Sequence, residues 1–310
     1  MTGIMPLGPG AEFDAIRQLV EQWGPRAVGI GDDAAVFSVP RGDSVVASVD
    51  ATVENRHFRR GWITPREIGY RALAAAFSDL AAMAARPIGT LVAITLPGGW
   101  RADLAEIANG IGEALDLVHA PVLGGNLSAG VELSITTTVF GAAFTPLRRS
   151  GARAGDSVYV TGRLGGPQLV LDRLIAGIDA GEWRDRFARP SPRIDEARWL
   201  AEQGAAAAID ISDGLYADAV HLAHASGVSI ELDAALVPFL PGVTAEAALA
   251  SGEEYELIVT SPSAFDVRAF ETMFALPLTR IGRVTAGVPG TVDVAGARVA
   301  SGPGHDHFSR

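Results

Sequence analysis

Carboxylates carry the chemistry this chain can offer. Asp32 and Asp33 follow Gly31 and precede the small residues Ala34 and Ala35, a setting where backbone and ligand can approach closely. Asp79 falls on a helix-spaced stripe with Ile68, Ala72, Ala75 and Met83. Asp210 and Asp213 belong to the run Asp210-Ile211-Ser212-Asp213-Gly214, which follows a small apolar segment at 205–209. A helical pattern at Leu215, Ala219, Leu222 and Ala223 comes next. Such hard oxygen ligands suit Mg²⁺, which takes a few carboxylates together with water and phosphate. Phosphoryl transfer depends on that combination, because it needs positioning and charge neutralisation more than covalent chemistry.

Each of these features also has a plainer reading. Gly-Asp pairs form turns. A carboxylate on a helix stripe can pair structurally with an arginine such as Arg71 or Arg86, and Ser212 or Asp213 can cap the helix that follows. Both roles can coexist with ligand binding, since a helix N-terminus also suits a phosphate. Asp79 is the hardest to explain as structure, because an isolated charge on a buried stripe costs several kcal/mol unless it is paired, metal-bound or protonated. Strand alternation would aim Asp210 and Ser212 to one side. The run Gly124-Gly125-Asn126-Leu127-Ser128, after a short strand at 122–123, is either a turn or a set of N–H groups offered to phosphate. Arg148 and Arg149 read as a phosphate clamp or as solvated linker residues, and Asp218, His221 and His224 as a polar helix face before a metal site.

Composition narrows the choices. A net charge of −11 and a pI near 5.0 argue against a nucleic-acid or anionic-membrane surface, so small-molecule partners are expected. No apolar run approaches the roughly 18 residues of a spanning helix, and no basic segment precedes an apolar one at Met1; the expected location is the cytoplasm. With no cysteine there is no disulfide, thiolate nucleophile or cysteine-ligated metal. All 25 basic residues are arginine. The absence of lysine excludes Walker-A phosphate binding, the protein-kinase lysine and a Schiff base, which leaves metal and arginine to handle phosphate.

The elements that must position these residues alternate along the chain. Apolar spacing predicts a helix over 12–23, and Thr64-Pro65-Arg66-Glu67 is a capping box opening a helix from 65 to about 84. Strands are expected at 45–49, 91–96, 122–123, 133–140, 157–160, 208–211, 228–232 and 256–260. At 310 residues the chain is long enough for two α/β domains. The Arg-, Gly- and Ser-rich stretch 146–156 places their boundary near 147.

Taken in order, a set of blocks resembles the thiamine-monophosphate kinase family, in the superfamily that includes aminoimidazole ribonucleotide synthetase and selenophosphate synthetase. The blocks are Gly10-Ala11-Glu12-Phe13, 29–36, 48–58 with Asp50, Glu54 and His57, 78–83, 124–128, Arg149-Ser150-Gly151, 209–215, 252–257 and 304–308. The resemblance spans nearly the whole chain, and its specificity lies in the ordered set. It implies an α/β (α+β) chain with the two-domain aminoimidazole ribonucleotide synthetase-like fold. Residues 1–146 would form an ATP- and Mg²⁺-binding dimerisation domain and 147–310 a C-terminal α/β domain. The N-terminal domains would close a β-barrel across a homodimer, with ATP near the interface. The implied reaction moves the ATP γ-phosphate onto thiamine monophosphate, giving thiamine diphosphate. Carried over residue by residue, Asp33, Ser48, Asp50, Asp79, Asp210 and Asp213 hold or organise Mg²⁺. Gly125, Asn126, Arg149 and Ser212 contact nucleotide, while His57, Glu253 and His305 meet the thiamine.

That chemistry agrees with the residues. The acceptor is already an anionic oxygen, so no strong base is needed, and metal ions suppress the repulsion between two anions. Four places depart from the family pattern. Ala76-Phe77 stands where an Asn usually precedes Ser-Asp, Ser251 replaces a Gly, Glu254 replaces an Asp, and Leu164-Gly165-Gly166 lacks the acid that often follows Leu-Gly. A diverged paralogue acting on another small molecule, or a non-catalytic nucleotide-binding protein, is therefore the alternative. Zero cysteine disfavours the selenophosphate synthetase and hydrogenase-maturation branches.

Overall fold

The structure, a computed structural model, describes residues 11–28 and 39–297. Asp32, Asp33 and His305 lie outside the described residues. The chain forms two compact units. The first holds α1 (Ala11–Trp23), β1 (Ser44–Val53), α2 (Pro65–Ala82), β2 (Arg86–Leu96), α3 (Leu104–Val118), β3 (Val122–Ala129) and β4 (Ser134–Ala143). Residues Ala81–Ala84 group instead with the second unit, which resumes at Pro146. Its elements are β5 (Ser157–Thr161), α4 (Gly166–Ile175), α5 (Arg184–Ala188), α6 (Ile194–Glu202), β6 (Ala207–Asp210) and α7 (Leu215–Ser226), followed by β7 (Ser229–Asp233), α8 (Ala245–Ala250), β8 (Leu257–Ser261), α9 (Val267–Phe274), β9 (Leu278–Thr285) and β10 (Thr291–Ala295). The mixed α/β content is that of the expected fold class.

In the first unit the sheet order is β1-β4-β2-β3, antiparallel except for the parallel β2–β3 pair. Helix α2 begins at the capping box read from sequence: the Glu67 amide donates to Thr64 Oγ1 at 3.2 Å and the Thr64 amide to Glu67 Oε2 at 2.6 Å. The helix is apolar almost all round, and residues 68–78 are all buried. One face meets the sheet, where Leu80 lies within reach of Gly141 on β4. Another meets α3 so closely that a Cβ on Gly110 would stand 1.7 Å from the Arg66 carbonyl oxygen. Only glycine permits that approach.

The second unit is built on a six-stranded sheet of order β10-β7-β9-β5-β8-β6. One face packs Val158, Val160, Ile209, Ile258 and Ile281 against Leu215, Leu222 and Leu249 of α7 and α8. An aromatic cluster gathers Trp199 of α6 with Phe270 and Phe274 of α9, and Phe265 in turn meets Tyr159 of β5 at 4.9 Å. Strands β9 and β10 were not anticipated from sequence. In β9 the buried residues are Leu278, Ile281 and Val284, spaced by three, because the β5–β9 register slips between Val158 and Tyr159. A bulge there breaks the period-two alternation by which a strand is read.

Candidate functional site

Each unit gathers its own set of the residues singled out above. In the first, β1 turns its even-numbered residues inward, so that Ser48 and Asp50 share the face covered by α2. Ser48 Oγ donates to Asp79 Oδ2 at 2.5 Å. Asp50 Oδ1 accepts from the Ala51 amide at 2.7 Å. Asp79 is half-buried, the one residue of 71–80 that is not fully buried, so its carboxylate opens at the margin of the stripe and not inside it. Two carboxylates and a hydroxyl here offer hard oxygen ligands of the kind Mg²⁺ takes, and the donor set fits that ion.

The glycine pair departs from expectation. Residues 122–129 form a single strand, and the β2–β3 register slips between Thr90 and Leu91 before Gly124 and Gly125 pair with Leu91 and Val92. Thus Gly124 to Ser128 are not a loop after a short strand. A Cβ on Gly125 would lie 1.9 Å from the Val92 carbonyl oxygen, so close strand pairing by itself demands glycine. Asp50, Thr137, Val92 and Gly125 form one row across the sheet. Three inter-strand spacings, about 14 Å, therefore separate Asp50 from Gly125. Asn126 pairs with Ala93 on the opposite face and is exposed. The fold does not bring Gly125 and Asn126 to the Ser48–Asp79 pair.

His57 lies in the turn after β1. Its Nδ1 accepts the Val53 amide at 3.0 Å, and its own amide donates to the Val53 carbonyl. An acceptor at Nδ1 places the ring proton on Nε2, which makes the remaining nitrogen a donor. Glu54 in the same block serves the fold: Oε2 accepts the Trp100 indole N–H at 3.0 Å and the Leu133 amide at 3.1 Å.

In the second unit, Asp210 ends β6 and is buried, while Ser212 is exposed and Asp213 half-buried. The strand ends at Asp210, so the alternation expected to aim Asp210 and Ser212 to one side does not extend to Ser212. Neither Ser212 nor Asp213 caps α7. Instead the buried Asp218 reaches back from the first turn, its Oδ2 accepting the amides of Ser212 and Asp213 at 3.0 Å and of Gly214 at 3.2 Å. These three N–H groups, expected at a helix N-terminus to face phosphate, are thereby engaged. Burial pushes the Asp218 carboxyl up to about 7; the Asp213 amide opposes this, and the charges of Asp210 and Asp213 add to it. Asp213, Asp218 and His221 bring one ligand atom each within 4.8 Å of one another, which sequence spacing had suggested for Asp218, His221 and His224.

Two loops meet beside this cluster. The Glu253 amide donates to the Ser212 carbonyl at 2.7 Å, the Tyr255 amide to Ile211 at 3.0 Å, and the Ile211 amide to Glu256 at 2.8 Å. Glu253 is thus joined to the Asp210–Asp213 run. Arg149 is exposed, and its carbonyl accepts Ser226 Oγ at 2.6 Å, while the Arg148 carbonyl accepts the Ala208 amide two residues before Asp210.

Sequence reasoning missed the buried ionic group behind Glu253. Glu256 is fully buried and accepts Thr161 Oγ1 at 2.7 Å and both Arg193 Nε, at 2.8 Å, and Arg193 Nη2, at 2.6 Å. Arg186 bridges Glu256 at 3.3 Å and Glu254 at 3.0 Å. Burial opposes the charge on Glu256, but the two arginines hold its carboxyl below the usual value. The available signal was the departure at Glu254.

Comparison with known proteins bears on the family and the fold. The AIR synthase related protein N-terminal domain matches residues 31–143, and the C-terminal domain of the same family matches 153–295. A thiamine-monophosphate kinase of Escherichia coli O157:H7 is 35% identical over 306 residues, covering 91% of this chain and 92% of the relative. The crystal structure of thiamine-monophosphate kinase from Stenotrophomonas maltophilia K279a superposes with a TM-score of 0.81 at 31% identity, covering 94% of this chain and 97% of that one. A structure described as AaThiL complexed with AMPPCP and TMP gives a TM-score of 0.77 at 31% identity, covering 96% and 97%. The two matched domains and the full-length likeness carry one conclusion: this chain belongs to the thiamine-monophosphate kinase family of AIR synthase related proteins.

Proposed function

We propose that the protein transfers the γ-phosphate of ATP to the phosphate of thiamine monophosphate, giving thiamine diphosphate and ADP. The observation that carries this reading is the Ser48–Asp79 hydrogen bond with Asp50 on the same strand face, in a chain 35% identical to a thiamine-monophosphate kinase over most of its length. The AMPPCP and TMP held by a structural relative supply the pair of ligands, a nucleotide and a phosphate acceptor. Mg²⁺ is assigned to Ser48, Asp50 and Asp79 in the first unit and, separately, to Asp210 and Asp213 in the second, with Asp33 in the same role by resemblance. Mg²⁺ held by such ligands would neutralise phosphate charge. Gly125, Asn126, Arg149 and Ser212 are assigned to the nucleotide, and His57, Glu253 and His305 to the thiamine. His57 Nε2–H suits an anionic oxygen, and the Glu253 carboxylate suits a cationic heterocycle. Incubation with ATP, Mg²⁺ and thiamine monophosphate is expected to yield thiamine diphosphate and ADP in equal amounts. Absence of the diphosphate, under conditions where a known relative turns over, sinks the assignment.

The domain division at 147, a cytoplasmic location and a homodimer belong to the same reading. Among the described residues no helix is long and apolar enough to cross a membrane. The dimer is supported by the open face of the first sheet, where Val45 and Val49 of β1 are 54% and 64% exposed and share a face with Phe140 and Leu91. Apolar side chains on the uncovered side of a sheet need a partner, and a second copy closing a barrel supplies one. A charge on that face, on the edge strand β1, should separate the copies. Val49→Asp is expected to shift the protein from dimer to monomer in sedimentation velocity; a monomeric wild type overturns the dimer.

A further inference from the structure

The loop that carries Glu253 is held in an unusual backbone conformation. Glu253 and Tyr255 both sit in the left-handed region, at φ 57° and 54°. Non-glycine residues stay there only when their surroundings enforce it. Between them lies Glu254, whose side chain is wholly buried. Its Oε1 accepts the Gly165 amide at 2.5 Å and Ser251 Oγ at 2.6 Å, and its Oε2 accepts Arg186 Nη2 at 3.0 Å. Arg186 is itself fixed by the Arg163 carbonyl at 2.8 Å and by Glu256.

Three of the departures from the family pattern meet at this point. Ser251 touches Glu254, Glu254 binds the amide of Gly165, and a Cβ on the acid-free Gly166 would stand 2.7 Å from Arg186 Cγ. The longer Glu254 side chain and the Ser251 hydroxyl are made for each other, since a shortened carboxylate would fall one methylene short of the hydroxyl and the amide.

We propose that Glu254, working with Ser251 and Arg186, is a positioning residue that locks the 252–255 loop so that Glu253 is presented beside the Ser212 turn to the cationic part of the phosphate acceptor. This rests on the reading of Glu253 as an acceptor-binding residue. Glu254 does not touch the acceptor; it sets affinity by fixing the loop, a cost otherwise met at the moment of binding. Burial pushes its carboxyl up to about 7, with the charge of Glu256 adding to the shift and Arg186, Ser251 and the Gly165 amide opposing it.

The test compares Glu254→Asp, Ser251→Gly and the double variant. Glu254→Asp is expected to raise the KM for thiamine monophosphate by about tenfold, with kcat and the KM for ATP within about twofold. Ser251→Gly should cost less, and the double variant should fall below the sum of the two effects, as contacting residues do. Amide hydrogen exchange at Glu253 and Tyr255 should quicken in Glu254→Asp while β6 and β8 keep their protection. Unchanged exchange at those amides overturns the proposal whatever the assay gives. So does an equal loss in both substrates, or strict additivity. If wild type makes no thiamine diphosphate, the functional reading fails, and the exchange result still decides whether Glu254 anchors the loop.

Discussion

Asp79→Asn should lower turnover by about 10²–10³-fold while leaving the protein folded. On the proposed reading of Asp79 as an Mg²⁺ ligand, its carboxylate contributes mainly through charge, and removing one preorganised electrostatic group costs on that order. The amide keeps the shape and still accepts from Ser48 Oγ through its carbonyl, so the hydrogen bond at 2.5 Å is weakened and not lost. Half-burial also spares the neutral variant a large penalty. Stability is therefore expected to change by about 1 kcal/mol or less. Steady-state kinetics and a thermal melt, run on the same preparation, separate the alternatives. If Asp79 were only a structural partner, turnover would survive and the melting temperature would fall.

The largest stability effect is expected at Glu256→Gln. Glu256 is fully buried and faces two arginines, Arg193 with 12% of its side chain exposed and Arg186 with 24%. Removing the charge leaves both guanidinium groups short of their counterion, and breaking a buried pair in this way costs about 3–5 kcal/mol. For a unit of this size the melting temperature should drop by about 10 °C. The pH dependence has a definite sign. Burial works against the ionised form, yet Arg193 and Arg186 bring the folded pKa of Glu256 below its ordinary 4.5. The unfolded state then binds more protons over that window, so the contribution is fully present above about pH 5 and is lost as pH falls through the lowered value. Melts from neutral pH to pH 3 should show wild type and variant separated by a constant gap that closes only in acid. A gap that closes towards neutral pH would contradict the pairing.

The two effects live on different links of the chain from sequence to function. Asp79 was legible because a single acid interrupts an otherwise apolar helical stripe, and charge on such a stripe demands a reason. Glu256 was not legible, because an acid at the start of a β-branched run looks like an ordinary strand boundary; its burial exists only once β5 and α6 close over it. Asp218 shows the intermediate case. Spacing groups it with His221 and His224 as a polar helix face, but the structure buries it, and its capture of three backbone amides depends on the turn of residues 212–214, a geometry no spacing rule encodes.

Local chemistry accounts for what the amino-acid sequence determined unaided. The capping box at Thr64–Glu67, the helical stripes of α1 and α2, the apolar runs of most strands, and the use of arginine for every basic residue are all short-range facts, and so is each block of the ordered set that carries the family resemblance. Tertiary structure alone decided which blocks meet. It joined Ser48 on β1 to Asp79 on α2 through a sheet face, carried the glycine pair into β3 through a register slip, hid β9 behind a bulge, and drew Ser251, Glu254 and Gly165 to one point. The reason is physical. Hydrogen-bond register and burial are set by partners distant in the chain, and neither quantity is defined for a segment read by itself.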